Sequence, residues 1–160
     1  MKSFFRKVGF GLKPGEKAPS DPLTWAQKQV ETIPELNWKG KYIFSEKEMR
    51  QHWIKQRVTE ETTFKKKYKN DPEGLRIAEK KLEDDSGAKF WPNNEICIRH
   101  AEAVRSKNPV LAKLWYFWTN HFTISDAQRL PSFSTGAYQR EFIRANMDKT
   151  FETMAIEGTI

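Results

Sequence analysis

One stretch restricts the fold of this chain more than any other feature, because residues 110–121 carry an unusual density of aromatic side chains. The stretch follows Asn108-Pro109, in which a capping side chain precedes a proline suited to the first position of a helix. Burial of apolar surface is worth about 25 cal/mol per Å², and an aromatic ring offers a large area of it. We therefore expect this helix to lie at the centre of the core. Its large apolar side chains are Leu111, Leu114, Trp115, Phe117 and Trp118.

The remaining elements predicted from the sequence are also helices. Asp21-Pro22 and Asp71-Pro72 repeat the pattern of a capping residue before a proline, and Ser45 with Glu48 has the pattern of a capping box. The capping box is expected to start the longest helix, with a kink or frayed turn at residues 59–63, which are poor helix formers. Further helices are expected over residues 22–33, from Asn94 to Ser106, over 135–146 and over 148–157.

No two segments of the sequence alternate convincingly with the period of paired strands. The predicted fold class is therefore all-α, an irregular bundle of about six or seven helices with no significant sheet. A length of 160 residues fits one domain, and an aromatic content of 13% excludes a disordered tail. We expect residues 1–160 to form a single helical domain.

An amphipathic pattern through Phe151, Met154 and Ala155 stops at Ile160 without a polar tail. This pattern predicts that the chain is the N-terminal fragment of a longer one, whose C-terminal portion would be its partner. No apolar run approaches the roughly 20 residues that span a bilayer. The first residues lack a signal peptide, which makes a cytoplasmic location the default expectation.

The net charge of +7 is unevenly distributed, since residues 1–41 carry eight basic and four acidic side chains. The densest basic cluster, residues 65–69, is flanked by acidic side chains that offset its attraction for phosphate. We therefore expect a solvated helix face there and regard nucleic-acid binding as unfavoured. The basic N-terminal region keeps weak nucleic-acid binding as an alternative.

The sequence contains none of the common catalytic signatures, and it has no phosphate-binding loop or dinucleotide fingerprint. One cysteine and three dispersed histidines do not match the spacing of a zinc site. The prediction is accordingly no metal and no cofactor. Cys97 lies between two isoleucines, a setting typical of a small core residue.

The stretch from Trp118 to Phe122 is the best candidate for chemistry. At the end of the aromatic helix, Asn120 and His121 have a structural interpretation, in which they bind exposed backbone carbonyls. They also have a functional one, in which His121 acts as an acid or base that Asn120 orients and Arg140 or Glu141 assists. Both interpretations remain open from the residues alone.

Closely spaced glycines over residues 9–15 suggest either an anion-binding loop with Lys13 or a tight turn. The Pro14-Gly15 pair favours the turn, with Phe10 anchoring the N-terminus to the core.

These stretches together resemble the "domain of unknown function 1800" family of bacterial proteins. The resemblance rests on residues 114–123, on 136–141 with Ile143-Arg144, and on the glycine-rich start at 9–15, with Asp21-Pro22-Leu23-Thr24-Trp25 after it. The signature residues are Gly9, Phe10, Gly11, Pro14, Gly15, Phe117, Trp118, Asn120, His121, Phe122, Gly136, Tyr138 and Arg140. Residues 35–93 carry no such resemblance.

The resemblance implies a mainly helical fold and a longer parent chain. It also implies that some members of the family are exported. It brings no established activity with it. The chain departs from the family pattern at Ala112-Lys113, Ala145-Asn146 and Lys149-Thr150, so a site built from the groups usual there is in question.

The function predicted first is a structural or binding module within a larger protein. One alternative is part of an enzyme that uses His121 and Asn120 with residues beyond Ile160. The other is the weak nucleic-acid binding named above. Whether the chain is an enzyme is left open by the sequence.

Overall fold

The computed structural model describes residues 2–36, 38, 43–86, 91–124 and 134–158. These residues contain eight α-helices of at least seven residues and no strand, which confirms the all-α prediction with slightly more helices than expected. The helices are α1 Lys2–Val8, α2 Pro22–Lys28, α3 Glu46–Trp53, α4 Glu61–Lys67, α5 Pro72–Ser86, α6 Trp91–Arg105, α7 Pro109–His121 and α8 Phe151–Glu157.

Two segments wind more loosely than an α-helix. A π-helix over Ile54–Glu60 joins α3 to α4, and a second, Tyr138–Ile143, continues from helical residues 134–137 into a 3-10 turn, Arg144–Asn146. The helix predicted from Ser45 was expected to be the longest, with a kink at residues 59–63. The irregularity begins earlier, at Ile54, and α5 and α6, with 15 residues each, are longer than α3, with 8. At the end of the irregular stretch the Thr63 hydroxyl donates to the Thr59 carbonyl at 2.7 Å, a bond that bends helices.

The helix starts follow the capping residues predicted from the sequence. The Asp21 carboxylate accepts hydrogen bonds from the backbone of Leu23 and Thr24, and Ser45 with Glu48 forms the reciprocal capping box. The helices that begin at Pro72 and Pro109 start where they were predicted, although the Asn108 side chain makes no capping hydrogen bond. The helix predicted from Asn94 begins earlier, at Trp91. Helix ends were predicted less well, since α2 ends at Lys28 although Pro34 was expected to end it.

The chain divides into two compact units. The first unit combines Met1–Asn37, Cys97–Thr123 and Gln139–Ile160, and the second combines Trp38–Ile96 and Ile124–Tyr138. Because the first unit draws on three separate stretches, its packing depends on residues that are far apart in sequence.

The first unit is built around Trp115 of α7, as the sequence predicted. Trp115, Phe5, Ile143 and Met154 are the largest fully buried side chains among the described residues. Phe5 packs edge-on against Trp25 with ring centroids 5.2 Å apart. The expectation that Phe10 anchors the N-terminus is wrong, because Phe10 is 48% exposed and Phe5, on the inner face of α1, is the buried ring.

Two lysines bind the carboxyl ends of helices in the first unit. The Lys113 ammonium donates to the Arg6 carbonyl at 2.6 Å, and the Lys13 ammonium donates to the Arg105 carbonyl at 2.9 Å. A cation is favoured at a helix C-terminus, where the last carbonyls lack partners. These bonds connect α1 to α7 and the N-terminal loop to α6.

In the second unit, α4 and α5 form a hairpin with a groove of about 490 Å³ between them. Glycine at position 74 allows close packing at the start of α5, because a Cβ there would lie 2.9 Å from the ring of Tyr68, which follows α4, and 2.2 Å from the carboxylate of Asp71, which precedes α5. The groove is lined by Glu60, Phe64, Tyr68, Gly74, Ile77, Ala78, Lys81 and Leu82.

Candidate functional site

The carboxyl end of α7 and the first residue of α8 bring five rings together in the first unit. We call this set the aromatic face; its members are Phe117, Trp118, His121, Phe122 and Phe151. Phe151 begins α8 because the Thr150 hydroxyl caps that helix by accepting from the Thr153 amide at 3.2 Å. The helix caps therefore fix where the face is assembled.

His121 lies in the middle of the aromatic face and is exposed. Its ring is stacked on Phe117 at 6.2 Å and meets Phe151 edge-on at 5.5 Å, measured between ring centroids. Trp118 and Phe122 contact it edge-on at 5.7 and 5.2 Å. Within the described part of the chain, the side chains packed on His121 are aromatic.

The other two candidate residues lie in different surroundings. Asn120 is exposed near the end of α7. The Arg140 side chain, in the second π-helix, is only 13% exposed and lies 3.6 Å from the Glu141 carboxylate. Among the described residues the ring contacts of His121 do not include Arg140, and the acid–base role of His121 stays a prediction.

A second arrangement in the first unit pairs arginines with the aromatic side chains of α7. The Arg99 guanidinium lies 5.1 Å from the centre of the Tyr116 ring, and the Arg144 guanidinium lies 5.8 Å from the Trp115 ring. Cation–π contacts of this kind gain strength when they are shielded from water. Sequence reasoning missed this arrangement, because residues 99, 116 and 144 share no motif or spacing.

Gln139 links the two arginine–aromatic pairs. Its backbone carbonyl accepts from the Trp115 indole at 2.9 Å, and its side-chain oxygen accepts a short hydrogen bond from Arg99. Gln139 occupies the second π-helix, a type of element that is frequent at functional sites. The Tyr116 hydroxyl and the Arg99 Nε are buried, and neither has a hydrogen-bond partner among the residues that the structure describes.

The glycine-rich N-terminal segment is a turn, as predicted, since Gly11 and Gly15 adopt φ values of 94° and 81° that favour glycine. Gly9 is buried against Pro109, while Pro14 is exposed. The Phe10 ring meets the Tyr116 ring edge-on at 5.5 Å. The segment thus lies against α7.

Two further signature residues are in the second unit. A Cβ at Gly136 would lie 2.2 Å from the Glu95 side chain, so glycine is required for this close approach. Burial raises the pKa of Tyr138 above its ordinary value. Cys97, predicted as a core residue, is exposed, because the face of α6 that carries it does not point into the core.

The fold and the aromatic face together define the class of protein. It is an all-α protein in which an aromatic helix, α7, forms the core of the first unit and presents the exposed aromatic face at its end. Residues 3–159 match the family model described as "Protein of unknown function (DUF1800)". The chain belongs to that family, which confirms the resemblance. No curated protein and no solved structure matches the chain.

Of the described helices, none is both long and apolar enough to cross a membrane.

Proposed function

We propose that this protein is a binding module that docks an apolar segment of another polypeptide on the aromatic face. The observation that carries the proposal is the joint exposure of rings that touch one another. Phe117 is 56% exposed and Phe151 is 55% exposed, and both contact His121 between them. Single exposed apolar residues are ordinary, whereas contiguous ones mark interaction sites.

The aromatic face is also held in place before any partner arrives. Trp118, Phe122 and Phe151 contact one another with ring planes within about 34° of parallel. Large rings that are already ordered lose little conformational entropy on binding, which is why aromatic side chains dominate binding hot spots. A segment carrying leucine, methionine or proline would bury these rings most completely.

The surroundings of His121 support binding over catalysis. A general acid or base is usually oriented by a carboxylate or a backbone carbonyl. The contacts described for His121 are with rings, which provide contact area and no hydrogen bond that would orient the imidazole. In this proposal the imidazole is one more flat surface of the face.

The proposal is tested by photocrosslinking in cells that produce the protein. Benzoylphenylalanine replaces Phe117 or Phe151, with Phe10 as the control, since it is an equally exposed ring of the first unit outside the face. We expect both positions of the face, and not position 10, to label one polypeptide segment. The synthetic segment should then bind the purified chain, and F117S/F151S should weaken binding at least about tenfold, or 1.4 kcal/mol.

Unchanged affinity of the folded double variant, or equal labelling from position 10, would contradict the proposal. The alternatives give other results with the same samples. An enzyme site at His121 would show as loss of turnover in His121→Gln with segment binding absent. Nucleic-acid binding would show as affinity that falls steeply with added salt.

A further inference from the structure

The carboxyl end of α7 lies at the aromatic face and carries backbone carbonyls without partners. The Phe122 amide donates to the Trp118 carbonyl at 2.8 Å, and no group in the described part of the chain donates to the carbonyls of Thr119, Asn120 or His121. The last carbonyls of a helix have no partners within it, and the helix dipole places partial negative charge there. This end of α7 therefore favours a cation.

The first unit places a lysine at two other helix ends of this kind. The Lys113 ammonium donates to the Arg6 carbonyl in α1, and the Lys13 ammonium donates to the Arg105 carbonyl at the end of α6. Among the described residues, no lysine or arginine does the same for α7. The end of α7 can therefore take a cation from another molecule.

The helix α8, which supplies Phe151 to the aromatic face, adds negative charge beside it. It contains two glutamates, Glu152 and Glu157, and no basic side chain. Both are exposed, and neither forms an ion pair with another described residue. The basic residue just before α8 is Lys149, whose ammonium lies 3.6 Å from the Asp148 carboxylate. The charge next to Phe151 is therefore negative, although the whole chain carries +7.

The rings of the aromatic face also attract cations, because the face of an aromatic ring is electron-rich. The cation–π contacts of the described residues involve Tyr68, Tyr116 and Trp115, which lie outside the aromatic face. Phe117 is 56% exposed and Phe151 is 55% exposed. Their rings are thus accessible to a cation from a partner.

We propose that the segment docked on the aromatic face carries a lysine or arginine next to its apolar residues. This inference rests on the proposed function and specifies the chemistry of the partner. The basic side chain donates to the carbonyls at the end of α7, pairs with Glu152 and covers an exposed ring. An acidic segment would meet these groups with like charge. A second copy docked through the same face would bring its own Glu152 and is disfavoured for the same reason.

The test uses three small probes of similar shape and different charge: phenethylamine, phenethyl alcohol and hydrocinnamate. Each is titrated into the 160-residue chain at constant ionic strength and at a pH of about 8, above the ordinary titration range of histidine. NMR follows the Trp118 indole N–H signal. We expect saturable shifts in which the amine binds at least about threefold more tightly than the alcohol, and the carboxylate binds most weakly.

Two variants locate the source of this preference. Glu152→Gln should reduce the preference for the amine over the alcohol by about half or more. Glu31→Gln is the matched control, because it removes the same charge from an exposed residue outside the aromatic face, and it should leave the preference unchanged. Equal losses in the two variants would overturn the proposal, since the attraction would then come from the overall charge of the chain.

The outcomes separate this inference from the proposed function. Equal affinities for the amine and the alcohol, or tighter binding of hydrocinnamate, would overturn the inference and leave the aromatic face as a binding site. The absence of saturable shifts with every probe would overturn the inference, while crosslinking from positions 117 and 151 decides the proposed function separately. A crosslinked segment that contains no lysine or arginine would overturn the inference although the proposed function would stand.

Discussion

Trp115 of α7 in the first unit is 2% exposed, whereas Ile77 of α5 in the second unit is 57% exposed. The two units also differ in the interactions that hold α7 and the α4–α5 hairpin in place. The buried side chains of the first unit come from stretches that lie up to about 150 residues apart, from Phe5 to Met154. The hairpin of the second unit joins α4 to α5 through four residues and carries an exposed ion pair between Glu73 and Arg76 at 2.7 Å.

The two units should therefore depend on different interactions for their stability. Burial of large side chains supplies several kcal/mol per residue, whereas caps and exposed ion pairs supply about 1 kcal/mol or less. The first unit should therefore respond to core truncation, and the described part of the second to changes at helix starts.

The largest effect is expected for Trp115→Ala. The change leaves a cavity and removes the indole that donates to the Gln139 carbonyl, so the first unit should lose about 3–5 kcal/mol of unfolding free energy. Urea denaturation followed by circular dichroism measures the loss. Val104→Ala is the control, since Val104 is 73% exposed on α6 and should cost no more than about 0.5 kcal/mol. Equal losses of unfolding free energy in the two variants would contradict the conclusion that the first unit depends on its buried core.

Ser45→Ala should have a smaller, local effect. It removes the hydroxyl that accepts from the Glu48 amide at 3.2 Å and one half of the capping box, at a cost of about 1 kcal/mol. Hydrogen exchange should accelerate at the amides of α3 and leave those of α7 unchanged. Faster exchange throughout α7 would show that the two units are not independent in stability.

Gly74→Ala separates helix propensity from packing. Propensity alone predicts a gain of up to about 1 kcal/mol, but the new methyl group would displace the Asp71 carboxylate that accepts from the residue 74 amide at 2.9 Å. The lost cap and the crowding of the Tyr68 ring should each cost about 1 kcal/mol, so after the gain from propensity we expect a net loss of about 1 kcal/mol. In an Asp71→Ala background the same substitution should cost less, and an equal cost there would contradict this explanation.

The smallest effect concerns pH at the start of α2. The hydrogen bond from the Thr24 hydroxyl holds the pKa of Asp21 below its ordinary value of 3.8. Backbone hydrogen bonds from Thr24 and Leu23 lower it further. A lowered pKa means that this cap contributes fully above pH 3.8 and is lost as the pH falls through the lower, folded value. The carboxyl ¹³C shift should titrate below 3.8, and Asp21→Asn should remove the acid-side change in α2 exchange. Titration at or above 3.8 would contradict the cap.

Structural features that depend on side chains three or four residues apart could be predicted from the sequence. The capping residues Asp21 and Ser45, and the core position of Trp115, follow from side-chain chemistry and helical spacing. The loose windings at Ile54–Glu60 and Tyr138–Ile143 could not, because they depend on tertiary packing.

The candidate site was predicted less completely than the fold. The aromatic run predicted a core helix but not that Phe117 and Phe151 remain exposed, because exposure depends on which face α8 covers. The expectation that Phe10 anchors the N-terminus was wrong because residues 2–8 form a helix that buries Phe5. The placing of Arg144 on Trp115 has no local signal at all.

The three-stretch construction of the first unit has a consequence for protein synthesis. Phe5 is synthesised 149 residues before Met154, an interval of roughly 7–30 s at an elongation rate of about 5–20 residues per second. In the last part of that interval, after residue 121 has been made, α7 is complete while Ile143 and Met154, which pack in the same core, are still untranslated. Nascent chains of this protein are therefore expected to recruit chaperones after residue 121 emerges and to release them once α8 has been made.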